Sequence, residues 1–232
     1  MRPSVGDSTM YPPGEAVLSR LQKDIVPPVT GPAILRFEDV RRRFGRLAVL
    51  EGVSGSVESG GALLVTGPNG SGKSTLLRCL AGLLVPDSGT IEYREGETAL
   101  EIEERRRRVG FISPDLAFYG ELTVEENLAF FARLRRAELA RGLEVLARLG
   151  LPTDRRAANL SSGMRQRLRW GWALMHRPRL LLLDEPFQNL DGAGERVTRE
   201  LLGAHLAGGG LAVVANPNRL EIDCVLGHLD LG

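Results

Sequence analysis

The fold of this chain is decided by one stretch of sequence, Gly67-Pro68-Asn69-Gly70-Ser71-Gly72-Lys73-Ser74-Thr75. Its glycines let consecutive backbone N–H groups turn inward and wrap a phosphate. A strand is predicted directly before the loop and a helix directly after it, and that helix would point its positive end at the same anion. In this pattern Lys73 reaches the β- and γ-phosphates and the Ser74 hydroxyl ligates Mg²⁺. We therefore interpret the stretch as a phosphate-binding loop for ATP, and not as a glycine turn without a ligand.

Lysine usage singles out the same loop. The chain has two lysines, Lys23 and Lys73, and arginine serves everywhere else. A lysine at this one position suits a site that requires a compact point charge. Lys73 is therefore a candidate for both nucleotide binding and catalysis.

A second candidate part of the site follows the apolar run at 180–183. Such a run is typical of a central parallel strand covered on both faces. It ends in Asp184 and Glu185. In a phosphate-loop fold the first carboxylate would hold Mg²⁺ together with Ser74, and the second would orient or deprotonate an attacking water. The alternative is two acidic residues at an ordinary strand edge.

Strands and helices are predicted to alternate along the chain. Apolar runs predict strands at 34–40, 62–66, 109–112, 180–183 and 211–215. Helices are predicted at 73–84, after the capping-box pattern of Thr123 and Glu126, at 137–149, from Ser161 or Ser162 to about 176, and at 194–206. This alternation implies an α/β fold with a mostly parallel sheet.

Composition and charge restrict the class of protein. The 232 residues are 43% hydrophobic and 25% charged, which is an ordinary globular balance, and the net charge of +1 gives no reason to expect nucleic acid as a partner. Cys79 and Cys224 lie outside any metal-like spacing, which favours a reduced, cytoplasmic protein. No stretch approaches the roughly 18 apolar residues that cross a bilayer, so another chain would have to hold this one at a membrane.

The chain is predicted to comprise a tail and one domain. Residues 1–32 are expected to form a flexible proline-rich tail, with a short helix conceivable at 15–23, because six prolines interrupt any helix or strand register. Residues 33–232 are expected to form a single domain.

A further motif brings a resemblance to a known family. Residues 159–166 read Asn-Leu-Ser-Ser-Gly-Met-Arg-Gln and lie shortly before the Asp-Glu strand. Together with the phosphate loop they resemble the ATP-binding cassette (ABC) family, whose signature sequence covers the ATP held by another subunit. Ser161 and Gly163 match the family's serine and second glycine, whereas Ser162 replaces its first glycine. Taken alone, these residues are typical of a helix cap.

The resemblance extends over residues 34–217. Residues 121–128 match the stretch that opens the family's helical subdomain, and 189–191 match the loop that meets the partner subunit. Phe44 lies where the family places an aromatic ring against adenine, although a phenylalanine taken singly is more typical of the core. The resemblance implies a P-loop core with an antiparallel β edge and a helical subdomain at about 115–176.

The same resemblance implies an activity and partners. The family's subunits bind and hydrolyse Mg-ATP, pair head to tail as homo- or heterodimers, and power a membrane-spanning subunit from the cytoplasmic face of the membrane. Residues 185–194 and the short length are similar to small exporter subunits, including the haem-exporter type of cytochrome c maturation.

Two positions depart from the family's pattern. Pro114 stands at the position of a glutamine that contacts the metal site, and Asn216 stands at the position of a histidine that contacts the γ-phosphate. The histidines of this chain, at 176, 205 and 228, lie elsewhere and are expected to be surface or structural residues. Slow hydrolysis is therefore expected.

Other interpretations stay open at this point. A binding module that holds a complex together with little turnover agrees with the two departures. A soluble relative acting on ribosomes or DNA would be expected to carry two cassettes or a long coiled coil. The arginine runs at 41–43 and 105–108 are interpreted as a solvated face.

Overall fold

The computed structural model describes residues 31–220 and 225–232. Residues 1–30 of the tail predicted at 1–32, with its conceivable helix and Lys23, lie outside the described residues, as does Cys224. Within the described residues, two sheets are covered by helices, and the expected α/β class with a parallel sheet and an antiparallel edge is confirmed.

The central sheet is parallel, with strand order β6-β7-β8-β3-β9. Its strands, in chain order, are β3 (Ala62–Thr66), β6 (Val109–Ile112), β7 (Leu180–Asp184), β8 (Leu211–Ala215) and β9 (Val225–Asp230). Every residue of β3, β7 and β8 is buried. This explains their continuous apolar sequences, because helices or the second sheet cover both faces.

The second sheet is antiparallel, with strand order β2-β1-β4-β5. Its strands are β1 (Ala33–Phe44), β2 (Leu47–Glu58), β4 (Ser88–Glu95) and β5 (Thr98–Ala99). β1 and β2 form a hairpin, and register shifts within β1 interrupt the regular pairing.

Each of the described α-helices lies, in the chain, between two strands of the central sheet. They are α1 (Lys73–Leu80), α2 (Ile102–Arg108), α3 (Val124–Arg135), α4 (Leu139–Arg148), α5 (Ser162–Leu174) and α6 (Gly192–Ala207), with a short 3₁₀ turn at Ala157–Asn159. The capping box predicted for α3 is present, since Thr123 and Glu126 each accept a hydrogen bond from the other's backbone N–H. α3, α4 and α5 lie between β6 and β7 in the chain. Their assignment to a separate subdomain at 115–176 stays a prediction.

Two hydrophobic cores lie on opposite faces of the parallel sheet. Leu181 and Leu183 of β7 belong to the core shared with α3 to α6. Leu180 and Leu182 belong to the core shared with α1 and the antiparallel sheet. This alternation determines which face of the sheet each helix covers. Because the strands are parallel, their carboxyl ends lie along the same edge of the sheet.

Several details of the sequence interpretation are wrong. The helix predicted at 73–84 ends at Leu80, where the N–H groups of Ala81 and Gly82 turn back to carbonyls of the last turn. The run at 105–108 is a solvated face only in part. Arg106 and Arg107 are exposed, whereas Arg105 is 6% exposed and Arg108 pairs with the buried Glu95 at 2.8 Å. α2, β2, β4, β5 and β9 were not predicted individually.

Candidate functional site

The phosphate loop connects β3 to α1. Gly72 is the N-cap of α1 and has φ +100°, a left-handed conformation that favours glycine. A β-carbon at Gly72 would also lie 2.6 Å from the carbonyl oxygen of Val49, in β2. The glycine is therefore required both by the turn and by the close approach of the β1–β2 hairpin.

Lys73 lies across the loop that precedes it. Its Nζ donates to the carbonyl oxygens of Gly67 at 2.7 Å and Pro68 at 2.8 Å, and the residue is 5% exposed. Both acceptors are neutral carbonyls, so the ammonium charge meets no carboxylate there. The lysine is therefore positioned inside the loop, where its ammonium group could bind a phosphate.

Ser74 and Asp184 meet where a metal is expected. Asp184 is 3% exposed and accepts a hydrogen bond from the Ser74 side chain. Burial raises the pKa of Asp184 above its usual range, and the neighbouring charge of Glu185 adds to the rise, while the Ser74 hydrogen bond opposes it. A buried carboxylate beside a hydroxyl supplies the hard oxygen donors that Mg²⁺ prefers, and a divalent cation would offset the cost of burying the charge.

Glu185 follows β7 in a left-handed conformation, with φ +48°. Such a conformation is strained for a residue with a side chain and is found preferentially at functional sites. Three hydrogen bonds hold its backbone. Its N–H donates to the carbonyl of Ala215 at 2.9 Å, and its own carbonyl accepts from the N–H of Gln188 at 3.1 Å and from Nε2 of Gln166 at 3.3 Å. Both backbone polar groups of Glu185 are therefore fixed, which defines the point from which its side chain extends.

Asn216 follows β8 and is held by the neighbouring strand. Its N–H donates to the carbonyl of Val65 at 3.0 Å. Its side-chain Nδ2 donates to the carbonyl of Asn218 at 2.7 Å. The amide group is therefore engaged with its own loop in the structure.

These residues meet at one edge of the sheet. β7, β8 and β3 are adjacent, and Glu185, Asn216 and the phosphate loop follow their carboxyl ends. That edge is where parallel α/β sheets bind ligands. The structure thus places the loop, Ser74, Asp184, Glu185 and Asn216 at one edge of the sheet, and their roles stay predictions.

The loop after β6 carries Pro114. Its carbonyl accepts from Nη2 of Arg169 at 2.6 Å, and Nη1 of Arg169 donates to Oε1 of Gln166 at 2.9 Å. The next residue, Asp115, pairs with Arg78 on α1. The loop is therefore connected to α5 through a backbone carbonyl and to α1 through an ion pair, although the proline side chain can donate nothing.

Sequence reasoning gave no role to Gln166, which the structure places beside the site. The residue is 3% exposed, and its Nε2 donates to the carbonyls of Pro186 at 2.8 Å and Glu185 at 3.3 Å. A buried glutamine that donates to two carbonyls of the loop after β7 stabilises that loop. The one signal in the sequence was a polar residue within the apolar face of a helix.

The signature residues begin α5. Ser161 is the N-cap, and its hydroxyl accepts from the N–H of Met164 at 3.2 Å. Ser161 and Ser162 are exposed. No hydrogen bond among the described residues joins them to the phosphate loop of the same chain. Their exposure at a helix start leaves their N–H groups and hydroxyls available to a second molecule.

Phe44 lies at the tip of the β1–β2 hairpin and is 48% exposed. The alternative that it belongs to the core is wrong. The guanidinium of Arg42 lies 5.0 Å from the centre of its ring. The hairpin also brings Val49 against Gly72, so an exposed aromatic ring lies on the element that contacts the phosphate loop.

The histidines lie elsewhere. His176 and His205 each lie 3.2 Å from a backbone carbonyl oxygen, of Val109 and Leu211. Burial lowers the pKa of His176 to about 3, with a further contribution from the charge of Arg135. His228 is exposed and lies 2.8 Å from the Thr66 hydroxyl.

Comparison with known proteins places these features in context. The sequence profile of the ABC transporter family matches residues 50–188. The chain is 43% identical over 171 residues to the sulfate/thiosulfate import ATP-binding protein CysA of Bradyrhizobium diazoefficiens, and the match covers 69% of this chain and 49% of that protein. It is 39% identical over 175 residues to the protein of the same name from Synechococcus elongatus, covering 72% of this chain and 50% of that protein. The chain thus spans about half the length of the curated relatives it matches.

Solved structures of the same fold are also similar. An ATP-binding subunit of an ABC transporter is 28% identical, with a TM-score of 0.69 and coverage of 79% of each chain. An ATP-binding cassette in a dimeric post-hydrolysis state bound to ADP and Pi is 26% identical, with a TM-score of 0.66. That match covers 79% of this chain and 88% of the other. Within residues 31–220 and 225–232, no helix is both long and apolar enough to cross a bilayer.

Proposed function

Since this chain belongs to the ABC transporter family of ATP-binding proteins, we propose that it binds and hydrolyses Mg-ATP to power a separate membrane-spanning subunit. The observation that supports this most is the arrangement of Lys73 and Asp184. The lysine lies inside the phosphate loop, and the buried carboxylate lies beside the Ser74 hydroxyl. Lys73 would bind the phosphates, and Asp184 would bind the metal.

The roles of the remaining residues follow from their positions. We propose that backbone N–H groups of 67–75 bind the phosphates and that the exposed ring of Phe44 stacks on adenine. Glu185 would orient or deprotonate the attacking water. Mg²⁺, held by Ser74 and Asp184, would neutralise phosphate charge when bound.

Dimerisation completes the proposed site. Ser161 and Ser162 are exposed at the helix start that Gly163 continues. Among the described residues, no hydrogen bond joins this helix start to the phosphate loop of the same chain. We propose that this helix start covers the ATP of a second subunit, identical or different. The solved relative described as dimeric with ADP and Pi supports this arrangement.

Hydrolysis is proposed to be slow. The amide of Asn216 donates to Asn218, and at position 114 a proline backbone carbonyl faces Arg169. The glutamine and the histidine that the family places at positions 114 and 216 are therefore absent, whereas Glu185 remains. The same observation supports a second candidate function, in which ATP holds a complex together with little turnover.

The cargo and its direction belong to the partner subunit. The curated relatives are named as ATP-binding proteins of sulfate/thiosulfate import, which supports an import system of this kind for the present chain. The likeness of residues 185–194 to small exporter subunits supports the opposite direction. In both cases we propose that the chain is peripheral on the cytoplasmic face of the membrane.

Calorimetric titration of ATP in the presence of Mg²⁺ tests the binding function. Lys73→Ala should weaken binding by about 10- to 100-fold, because the charged hydrogen bonds to phosphate are lost. Lys23→Ala removes the chain's other lysine and should leave the affinity unchanged. Equal affinity of wild type and Lys73→Ala would contradict the proposal.

A further inference from the structure

The β1–β2 hairpin extends beyond the rest of the antiparallel sheet. β4 pairs with β1 only as far as Arg41, which lies opposite Ser88, the first residue of β4. Among the described strands, β1 from Arg42 to Phe44 pairs with β2 alone. A hairpin of two strands is only marginally stable by itself. The direction of this extension, which carries Phe44, therefore depends on contacts besides its own strand pairing.

Asp87, the residue immediately before β4, supplies such contacts. Its N–H donates to the carbonyl of Arg41 at 2.8 Å, and its Oδ2 accepts from the N–H of Arg43 at 2.7 Å. Its Oδ1 accepts from Nη1 of Arg42 at 2.6 Å. One residue thus binds three consecutive residues of β1 where the pairing with β4 ends. Asp87 therefore anchors the base of the extension to the sheet.

The guanidinium of Arg42 is held by two acceptors of the segment before β4. Besides Oδ1 of Asp87, its Nη1 contacts the carbonyl oxygen of Val85, to which it donates at 3.2 Å. Its Nε is buried and has no hydrogen-bond partner. Hydrogen bonds between charged groups are shorter and stronger than those between neutral ones. The pair with Asp87 therefore sets the position of this cation.

The same cation lies over the ring of Phe44. Cζ of Arg42 is 5.0 Å from the ring centre, within the distance at which a cation is attracted to an aromatic face. Because Phe44 is 48% exposed, a cation on one face of the ring leaves the other face to solvent. Ordering an exposed side chain opposes binding, and a ring that is already restrained loses less freedom when a planar group stacks on it.

We propose that Arg42 and Asp87 are positioning residues for the base of the nucleotide. Asp87 anchors the hairpin and the guanidinium, and the guanidinium holds the Phe44 ring with one face free for adenine. This proposal rests on the proposed function, because it requires that Phe44 stacks on adenine. The alternative is an ion pair that stabilises the sheet and has no effect on the base.

A second ion pair on the same strand provides a matched control. Arg41 pairs with Asp39 at 2.7 Å, and both side chains are exposed. Among the described residues, the guanidinium of Arg41 lies over no aromatic ring. Asp39 has φ +47°, a conformation that asparagine also adopts. Asp39→Asn therefore removes an ion pair from β1 without touching the contact to Phe44.

Calorimetric titration of the full chain with two ligands tests the proposal. Mg-ATP offers phosphates and a base, whereas magnesium tripolyphosphate offers phosphates alone. Arg42→Met keeps an unbranched side chain and removes the cation, and Asp87→Asn keeps the shape and removes the charge. Each should weaken Mg-ATP by about 2- to 5-fold and leave the affinity for tripolyphosphate unchanged. Asp39→Asn should leave both affinities unchanged.

A double-mutant cycle shows whether Arg42 acts through the ring. Phe44→Ala removes the stacking surface and should weaken Mg-ATP by about 5- to 150-fold. Adding Arg42→Met to Phe44→Ala should then cause no further loss, because the guanidinium has no ring left to hold. A residue that only stabilises the sheet would cause the same loss of affinity with and without the ring.

Three results would overturn the positioning role. They are Arg42→Met and Asp87→Asn proteins that bind Mg-ATP like wild type, equal losses for Mg-ATP and tripolyphosphate, and a loss from Arg42→Met that persists in Phe44→Ala. A Phe44→Ala protein that binds Mg-ATP like wild type would overturn the stacking and the positioning role together. Failure of the proposed ATP binding appears separately, as equal Mg-ATP affinity of wild type and Lys73→Ala.

Discussion

The carbonyl oxygen of Asn189 lies directly against Gly163, so that a β-carbon at Gly163 would approach it to 2.5 Å. Asn189 has φ +61° and lies in the loop between β7 and α6. The contact is made within one subunit. The start of the signature helix is therefore positioned by its own chain before any second subunit or nucleotide arrives.

The first prediction concerns this contact. Gly163→Ala should destabilise the isolated subunit by about 1–3 kcal/mol, because backbone at both sides must move to admit a methyl group. Gly203→Ala, within α6 and with open space around it, is the matched control and should stabilise by about 0.4–1 kcal/mol. Urea unfolding measures both. A Gly163→Ala protein as stable as wild type would show that the start of α5 and the loop between β7 and α6 separate easily.

The second prediction concerns assembly. With Glu185→Gln present to block hydrolysis, Mg-ATP should drive dimerisation, and adding Ser161→Arg should prevent it by placing bulk and positive charge where the second subunit's nucleotide is expected. Ser161 also caps α5, so Ser161→Ala is needed as a control that loses the cap, at a cost of about 1 kcal/mol, without added bulk. Light scattering reports the mass. A Ser161→Arg protein that dimerises like Ser161→Ala would contradict the proposed role in a second subunit's site.

The third prediction concerns rate. Asn216 is shorter than histidine and cannot gain a proton near neutral pH. Groups that position or transfer protons contribute about 10²- to 10⁴-fold to rate, so Asn216→His should raise kcat by at least about tenfold with little change in ATP affinity. Steady-state phosphate release measures this, with Glu185→Gln as the blank. Brisk wild-type hydrolysis that the histidine leaves unchanged would show that Asn216 is no handicap.

The fourth prediction concerns pH. The pKa of Asp184 is raised, chiefly by burial, so ionisation costs more in the folded than in the unfolded chain. Stability from this group is therefore present below the unfolded value of 3.8 and lost as the pH rises through the folded pKa. Asp184→Asn should raise the melting temperature of the ligand-free protein at neutral pH, and the difference from wild type should shrink as the pH falls.

Asp191 supplies a control of opposite sign for that experiment. The N–H of Gly194 and then Arg167 lower its pKa, so its ionisation stabilises the fold above the unfolded value. Asp191→Asn should lower the melting temperature at neutral pH, and this difference too should shrink in acid. Melting curves from about pH 4 to about pH 8 compare the two variants. A melting temperature of Asp184→Asn at or below that of wild type at neutral pH would contradict the assigned cost of burial.

The parts of the fold predicted from the sequence are those with local signals. The glycine spacing of the phosphate loop, the apolar runs of β3, β7 and β8, and the capping box at Thr123 each involve neighbouring residues. The strands β2 and β9 lack such a signal. The second half of β2 is rich in glycine and serine, and β2 becomes a strand because β1 pairs with it across a hairpin. β9 becomes a strand because it pairs with β3, which lies far away in the sequence.

The distinction between local signals and contacts with distant segments also applies to side chains. Arg105 and Arg108 were interpreted as solvated because four arginines follow one another, yet Glu95 on β4 pairs with Arg108 inside the fold. The residues of the phosphate loop were predicted from their spacing, whereas Asn216 and Phe44 were predicted only from the resemblance to the family. The contacts of Gln166 with Pro186, and of Gly163 with Asn189, depend on how α5 packs against a loop twenty or more residues away. No local sequence pattern indicates such a contact.

The scarcity of lysine has a practical consequence for labelling chemistry. Reagents that acylate amines have two lysine targets in this chain, and one of them, Lys73, is 5% exposed and held by the carbonyls of Gly67 and Pro68. Modification of most proteins by such reagents is spread over many surface amines. Here the yield of acylated Lys73, read by mass spectrometry, is a reporter of how open the phosphate loop is, and occupancy of that loop can be followed in a mixture without purifying or mutating the protein.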